Sequence, residues 1–213
     1  MRASIICVLL ASLVLLPFST LAEASSNPVS QDTAPISSAM ADSERLVLAF
    51  YYAWYDANTW NRNTVADMPV TPYNSADPDT ITRHVAQAKS AGIDVLVQSW
   101  LGPNNQTDSN FVTLLSAAQQ QGLRVSLDFE TNSPFFSSQD DLVNALKYAI
   151  NKYTSHPSFL RHQGKPVIFF WHTRQYPAST WQQIRDQVDP NRSLVWRDRS
   201  WIASWAELSF QIL

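Results

Sequence analysis

Four apolar runs share one asymmetry: LVLAFYYAWYDANTW from Leu46, VLVQSWLGPNN from Val95, VSLDFETN from Val125 and VIFFWHTR from Val167 each start apolar and end in aromatic and polar residues. Between the first three lie helical patterns closed by Gly92 and Gly122, 30 residues apart. Strands alternating with helices at that period predict crossover connections and a parallel sheet, an α/β fold. Crowding of side-chain chemistry at one end of every strand marks the open face of a barrel, where (β/α)₈ proteins assemble their sites. The alternative, a doubly wound nucleotide-binding sheet, lacks its Gly-rich turn, because the chain has only 4 glycines and none stands in the turn directly after the first strand.

The elements are readable one by one. Asp77-Pro78-Asp79 opens a helix with a cap, a proline at its first position and an acid in its first turn, and Ile81, Val85 and Ala88 mark its buried face. The second strand is expected over Ile93 to Trp100. Thr107-Asp108 opens a helix buried through Phe111, Leu114, Leu115 and Ala118, and the third strand is expected over Leu123 to Glu130. Ser138 and Asp141 have capping-box-like spacing before a helix through Leu142, Leu146, Ala149 and Tyr153. Val167 to Trp171 forms the fourth strand, Trp181, Ile184 and Val188 lie on a fourth helix, and Ser193 to Trp196 suggests a fifth strand.

A closed barrel needs eight strands and roughly 200 to 250 residues. Here four to five parallel strands with flanking helices are expected, a partial (β/α)₈ TIM barrel over residues 45–196. Residues 197–213 fit neither period and are read as an atypical tail, the mark of a truncation or a shifted reading frame. At the other end, Arg2 and the apolar run from Ile5 to Phe18, followed by Ala22-Glu23-Ala24, have the proportions of an export signal over residues 1–24. A flexible Ser, Ala and Pro-rich tether follows over residues 25–44. The expected location is secreted, periplasmic or extracellular, with no stable membrane span.

Composition narrows the partners. Cys7 is the only cysteine and lies in the signal, so neither disulfides nor a thiolate metal site is expected after its removal. No histidine pair has ligand spacing, and neither a metal nor a cofactor is indicated. Net charge is −3 with Lys and Arg scattered singly, which argues against nucleic acid. Flat rings with polar tips suit the CH-rich face and hydroxyl rim of a sugar, and Tyr52, Trp54, Tyr55 and Trp100 are the candidates for that work, although each suits a core equally.

Among titratable groups, Ser126, Asp128 and Glu130 share one face of the third strand. The two carboxylates lie about 6.6 Å apart along it, inside the range of glycosidase carboxyl pairs, yet stacked on one strand where a buried ion pair serves as well. Glu130 and Asp128 are read as substrate ligands. His172 directly follows the fourth strand, where a base or sugar ligand would stand, but no orienting acid is identifiable in the sequence. His84, in mid-helix, is read as packing.

The phrases FYYAWYDANTW, PYNSADPDTITRHVAQAKSAGIDVLVQSWLGP, SLDFETNSPF and HPSFLRHQGKPVIFFW together resemble glycoside hydrolase family 99 and its bacterial relatives, over about Leu46 to Trp196. The resemblance implies a (β/α)₈ barrel, no metal, a carbohydrate ligand, and retaining hydrolysis of an α-mannoside-type bond through a 1,2-anhydro sugar. Carried over residue by residue, it makes Tyr51, Tyr52, Trp54 and Tyr55 sugar-site walls, adds Trp100, and makes Glu130 a hydroxyl ligand. Departures are Ala53 in place of a proline, and Asp128 and Thr131-Asn132-Ser133 in place of a histidine and a Glu-Pro-Tyr phrase. The family's two catalytic glutamates, three residues apart on a late strand, have only the echo Trp205-Ala206-Glu207 here. No catalytic residue is assigned, and the expectation is an inactive N-terminal fragment; the alternative is a non-catalytic carbohydrate-binding pseudoenzyme. Bare sheet margins would also invite self-association.

Overall fold

The computed structural model describes residues 45–199, so the expected export signal, the tether and the chain beyond Arg199 lie outside the described residues. Within that span the order is β1 (Leu48–Tyr51), α1 (Pro78–Ser90), β2 (Val95–Trp100), α2 (Gln106–Gln121), β3 (Arg124–Glu130), α3 (Gln139–Tyr153), β4 (Arg161–His162), β5 (Lys165–Trp171), α4 (Ala178–Val188) and β6 (Val195–Asp198). Strands β1, β2, β3, β5 and β6 pair in that order, all parallel. The two-residue β4 returns antiparallel on the start of β5. That hairpin is an element the sequence pattern did not announce; its turn runs through Gln163 and Gly164, both with positive φ.

Among the described residues β1 and β6 do not pair with each other, and the sheet stays open. It is a partial (β/α)₈ barrel with five parallel strands, as expected. The fifth is displaced: it occupies Val195–Asp198, so Arg197 and Asp198 continue the ladder opposite Phe169 and Phe170 instead of beginning a tail.

Local chemistry explains the helix ends. Asp77 caps α1 by accepting from the Asp79 N–H, and Pro78 sits at the first helical position, where its missing N–H costs nothing. The cap of α2 is Asn105, not Thr107: its Oδ1 accepts from the Thr107 N–H at 2.8 Å and from the Thr107 hydroxyl at 2.7 Å. Gly122 ends α2 in the left-handed conformation, φ 64°, which a side chain adopts only with strain. Ser138 caps α3 by accepting from the Asp141 N–H at 3.2 Å, while the Asp141 carboxylate accepts from the Ser137 N–H at 2.9 Å.

Strand alternation divides the sheet into two faces. Leu96, Trp100, Val125, Leu127, Phe129, Ile168, Phe170 and Trp196 point outward and join Ile81, Val85, Phe111, Leu114, Leu142, Leu146 and Ile184 of the helices in the main core. Each such side chain contributes about 1.5 to 3 kcal/mol when fully buried. The inner face carries a smaller apolar cluster, Val95, Val97, Leu160 and Val167, flanked by Leu48, Phe50, Phe169 and Val195. Above that floor, toward the C-terminal strand ends, the inward positions turn polar and aromatic.

Candidate functional site

Register fixes what stands together at those ends. Ser99 lies opposite Asp128, Glu130 opposite Trp171, and Phe169 opposite Arg197. One residue beyond β1 comes Tyr52, and one beyond β6 comes Arg199. The Arg199 guanidinium donates to the Asp128 carboxylate and, at 2.8 Å, to the Tyr52 hydroxyl. It also lies over three rings, 4.0 Å from the Phe50 centroid, 4.5 Å from Trp171 and 5.9 Å from Tyr52. Next to it the Ser99 hydroxyl donates to Glu130.

The two carboxylates differ in freedom. Asp128 is fully buried; one oxygen is taken by Arg199 and the other, Oδ1, has no hydrogen-bond partner. Burial pushes its pKa up to about 7, with the nearby Glu130 charge adding to the rise and Arg199 only partly offsetting it. A carboxylate without exposed surface cannot flank a bond in a bound substrate or reach a sugar hydroxyl, so neither the paired-acid reading of Asp128 and Glu130 nor the expectation of Asp128 as a substrate ligand matches this geometry. Glu130 is half-buried, and burial raises its pKa too, against the Ser99 hydrogen bond and the charges of Arg199 and His172. His172 is therefore close enough to Glu130 to interact; it is exposed and held at φ 63°. The Thr131 hydroxyl ties the ends of β3 and β5 by donating to the Trp171 and His172 carbonyls at 2.6 and 3.0 Å.

Of the expected sugar walls, Tyr52 and Trp54 stand together, ring centroids 4.9 Å apart, with Trp54 exposed. Tyr55 belongs instead to the loop beyond β1, where it packs on Trp60 at 4.7 Å and Trp60 on Tyr73 at 4.6 Å. Two expectations are corrected. Trp100 is fully buried on the helix side, against Phe129 and Tyr148, with its indole N–H donating to Asp108 at 3.3 Å. Tyr51 also turns outward, its hydroxyl 3.1 Å from His84 Nδ1 on α1, and burial raises its pKa. The cause in both cases is parity: Tyr51 and Trp100 sit one residue out of phase with the inward set Tyr52 and Ser99.

Trp171, Ser99 and Arg199 stand in this strand-end cluster and were not among the expected residues. Trp171 had a signal, since it shares parity with Val167 and Phe169, and it is 41% exposed at the strand end. Arg199 had one only if the strand from Val195 is carried through Arg197 at period two. Nearby, Thr131, Asn132, Ser133, Phe136, Gln175 and Tyr176 line a small polar cleft of about 120 Å³ just beyond β3 and β5. A larger hollow of about 410 Å³, lined by Val70, Tyr73, Arg83, His84 and Gln87, lies against α1 on the helix side of β1. Among the described residues no three His, Cys, Asp or Glu side chains converge as metal ligands would.

The sequence profile of Glycosyl hydrolase family 99 matches residues 64–197. The chain belongs to that family. It is 27% identical over 213 aligned residues to a mouse glycoprotein endo-alpha-1,2-mannosidase-like protein, an alignment covering 79% of this chain and 46% of that protein. It is 35% identical over 125 residues to the mouse glycoprotein endo-alpha-1,2-mannosidase, covering 53% of this chain and 26% of that one. This family-99 chain thus spans less than half the length of these relatives. In fold it is similar to the GH99 endo-alpha-mannosidase of Bacteroides thetaiotaomicron, with a TM-score of 0.59 at 21% identity over 72% of this chain and 52% of that one. No helix among the described residues is long and apolar enough to cross a membrane.

Proposed function

We propose that this chain is an exported glycoside hydrolase family member directed at α-mannoside-type glycans, and that residues 45–199 form its sugar-binding wall, not its acid/base machinery. The observation that supports the reading most is the division of labour at the strand ends. The exposed Trp171 lies opposite Glu130, the exposed Trp54 packs on the half-buried Tyr52, and the other acid on that face among the described residues, Asp128, is sealed against Arg199. Rings offer stacking surface, and a half-buried carboxylate beside an imidazole offers an acceptor and a donor for hydroxyl groups. A sealed acid and a lone ligand do not supply an acid and an assisting base. Names of the relatives point to α-1,2-mannosides as the first substrates to try.

The test pairs turnover with binding. The 213-residue polypeptide, incubated with α-1,2-linked manno-oligosaccharides, is expected to release no sugar above blank while binding them in titration calorimetry. Clear turnover refutes the inactivity, and absence of binding refutes the sugar wall. A second reading, a carbohydrate-binding pseudoenzyme, is favoured by the same sealed Asp128; hydrolysis by this or any longer polypeptide that contains it excludes that reading. Export is tested by the N-terminal sequence of protein recovered outside the cell, expected to start near Ser25. The β1 and β6 margins, not joined to each other, support self-association through strand edges, which sedimentation would register as a dimer.

A further inference from the structure

Arg199 is the one group that touches nearly every part of the strand-end cluster. Its fork reaches Asp128 on β3 and the Tyr52 hydroxyl beyond β1, and its plane lies over Phe50 of β1 and Trp171 of β5. Only 16% of its side chain is accessible, and Asp128 beneath it has none. Burying such a pair costs several kcal/mol of desolvation per ion, which their attraction only partly returns. Stability is therefore a weak account of why the pair is there. Nor is Arg199 a site for an anion, because its fork is already committed to Asp128 and Tyr52. Its geometric effect is specific: a planar, always-charged fork stacks on rings and bonds in two directions at once, which a lysine cannot do.

We propose that Arg199 is a positioning residue that sets the sugar wall, holding Tyr52 by its hydroxyl and Trp171 by one ring face so that the exposed remainder of the indole meets a pyranose ring at a fixed angle. Asp128 is its anchor. A stacking platform works only when held within about 0.5 Å and 10 to 20° of its working geometry. Trp171 stands at the end of its strand, 41% exposed, where a ring not held from below turns about its own side-chain bonds. The proposal rests on reading this face as a sugar site, but one of its two readouts needs no sugar.

The full chain is compared with Arg199→Lys, which keeps the charge, and Arg199→Met, which keeps the length. In ligand-free protein, acrylamide quenching of Trp171, obtained by difference from the same proteins carrying Trp171→Phe, is expected to rise about twofold in both variants as the ring loses its support. With α-1,2-linked mannotriose as probe, both variants are expected to bind about tenfold more weakly, while in a Trp171→Ala background the same changes alter affinity by less than about twofold. Asp128→Asn should move both readouts in the same direction by a smaller factor. Unchanged quenching in both Arg199 variants overturns the proposal, as do losses that multiply in the double variant. If the unaltered chain binds no mannotriose, the functional reading fails while the quenching measurement still decides the role of Arg199. Thermal unfolding of each variant, read alongside, separates a shifted ring from a collapsed fold.

Discussion

Two buried aspartates, Asp108 on the helix side of this sheet and Asp128 on its inner face, are treated in opposite ways. On the helix side Asp108, in the first turn of α2, accepts from the Tyr148 hydroxyl at 2.8 Å, Lys152 Nζ at 3.2 Å, the Asn104 N–H and the Trp100 indole at 3.3 Å, and the Tyr153 hydroxyl. Burial alone would raise its pKa, yet those hydrogen bonds together hold it below its usual value. On the inner face Asp128 has Arg199 alone and an oxygen without a partner. Asp108 has donors on both of its oxygens, although the same side of the sheet leaves Gln98 Oε1 and the Trp196 indole N–H without a hydrogen-bond partner. The inner face joins the unmatched oxygen of Asp128 to the exposed rings of Trp54 and Trp171 at its strand ends.

Tryptophans at the ends of β2 and β5 give the widest test of that contrast. Trp100→Ala should cost about 3 to 5 kcal/mol, because it empties a fully buried site between Phe129 and Tyr153. Trp171→Ala, on an exposed ring, should cost less than about 1 kcal/mol while removing sugar binding. Urea unfolding of both variants checks the first pair of numbers and calorimetry the last. Equal costs would mean that the inner face is core like the outer one.

The aspartates themselves come next. Asp108→Ala strands two phenols, an indole N–H and an ammonium, and should lower stability by about 2 to 4 kcal/mol. Asp128→Asn removes a poorly compensated charge and should fall within about 1 kcal/mol of the parent in either direction at neutral pH. Denaturant midpoints at pH 7 measure both. A large loss for Asp128→Asn would show that the Arg199 pair is a structural staple after all.

The helix side was the legible one. Asp77-Pro78, Gly92, Gly122 and the spacing of Phe111, Leu114 and Leu115 carry local physics that tertiary contacts do not override, and the structure puts each where its pattern says. The site was harder because a run such as FYYAWY is aromatic at both parities, so the pattern alone does not say whether Tyr51 or Tyr52 faces inward; only pairing with β2 decides. Trp100 was misread for the same reason, since Gln98, of its own parity, is polar and buried, with Nε2 donating to the Thr107 carbonyl at 2.7 Å, and masks the alternation. Arg199 was illegible because WRDR offers no apolar stripe: its inward residues, Arg197 and Arg199, are charged, and Arg199 meets its partner Asp128 71 residues away in the sequence.

The last comparison is in pH, and its sign separates the two acids. A group whose folded pKa is raised binds its proton more tightly in the native state, so its contribution to stability is complete below the unfolded value and is lost as pH climbs through the folded one. Asp128, at about 7 when folded and about 3.9 when unfolded, should make the chain less stable as pH rises across that window, by at most about 1.4 kcal/mol per pH unit. Glu130, also raised, slopes the same way. Asp108 is lowered, so its contribution stands above the ordinary carboxylate range and disappears only as pH falls through its depressed folded value. His84, lowered chiefly by burial, also opposes Asp128 just below the usual imidazole range. The quantity to read is therefore the stability of the parent minus that of Asp128→Asn, measured by urea unfolding from pH 4 to 8, in which distant groups such as Asp108 and His84 cancel and the difference belongs to Asp128 together with the coupled Glu130. It should decline with rising pH and flatten above about 8. A difference that instead rose with pH would mean that the Arg199 guanidinium outweighs burial, and that the inner aspartate is as well provided for as the outer one.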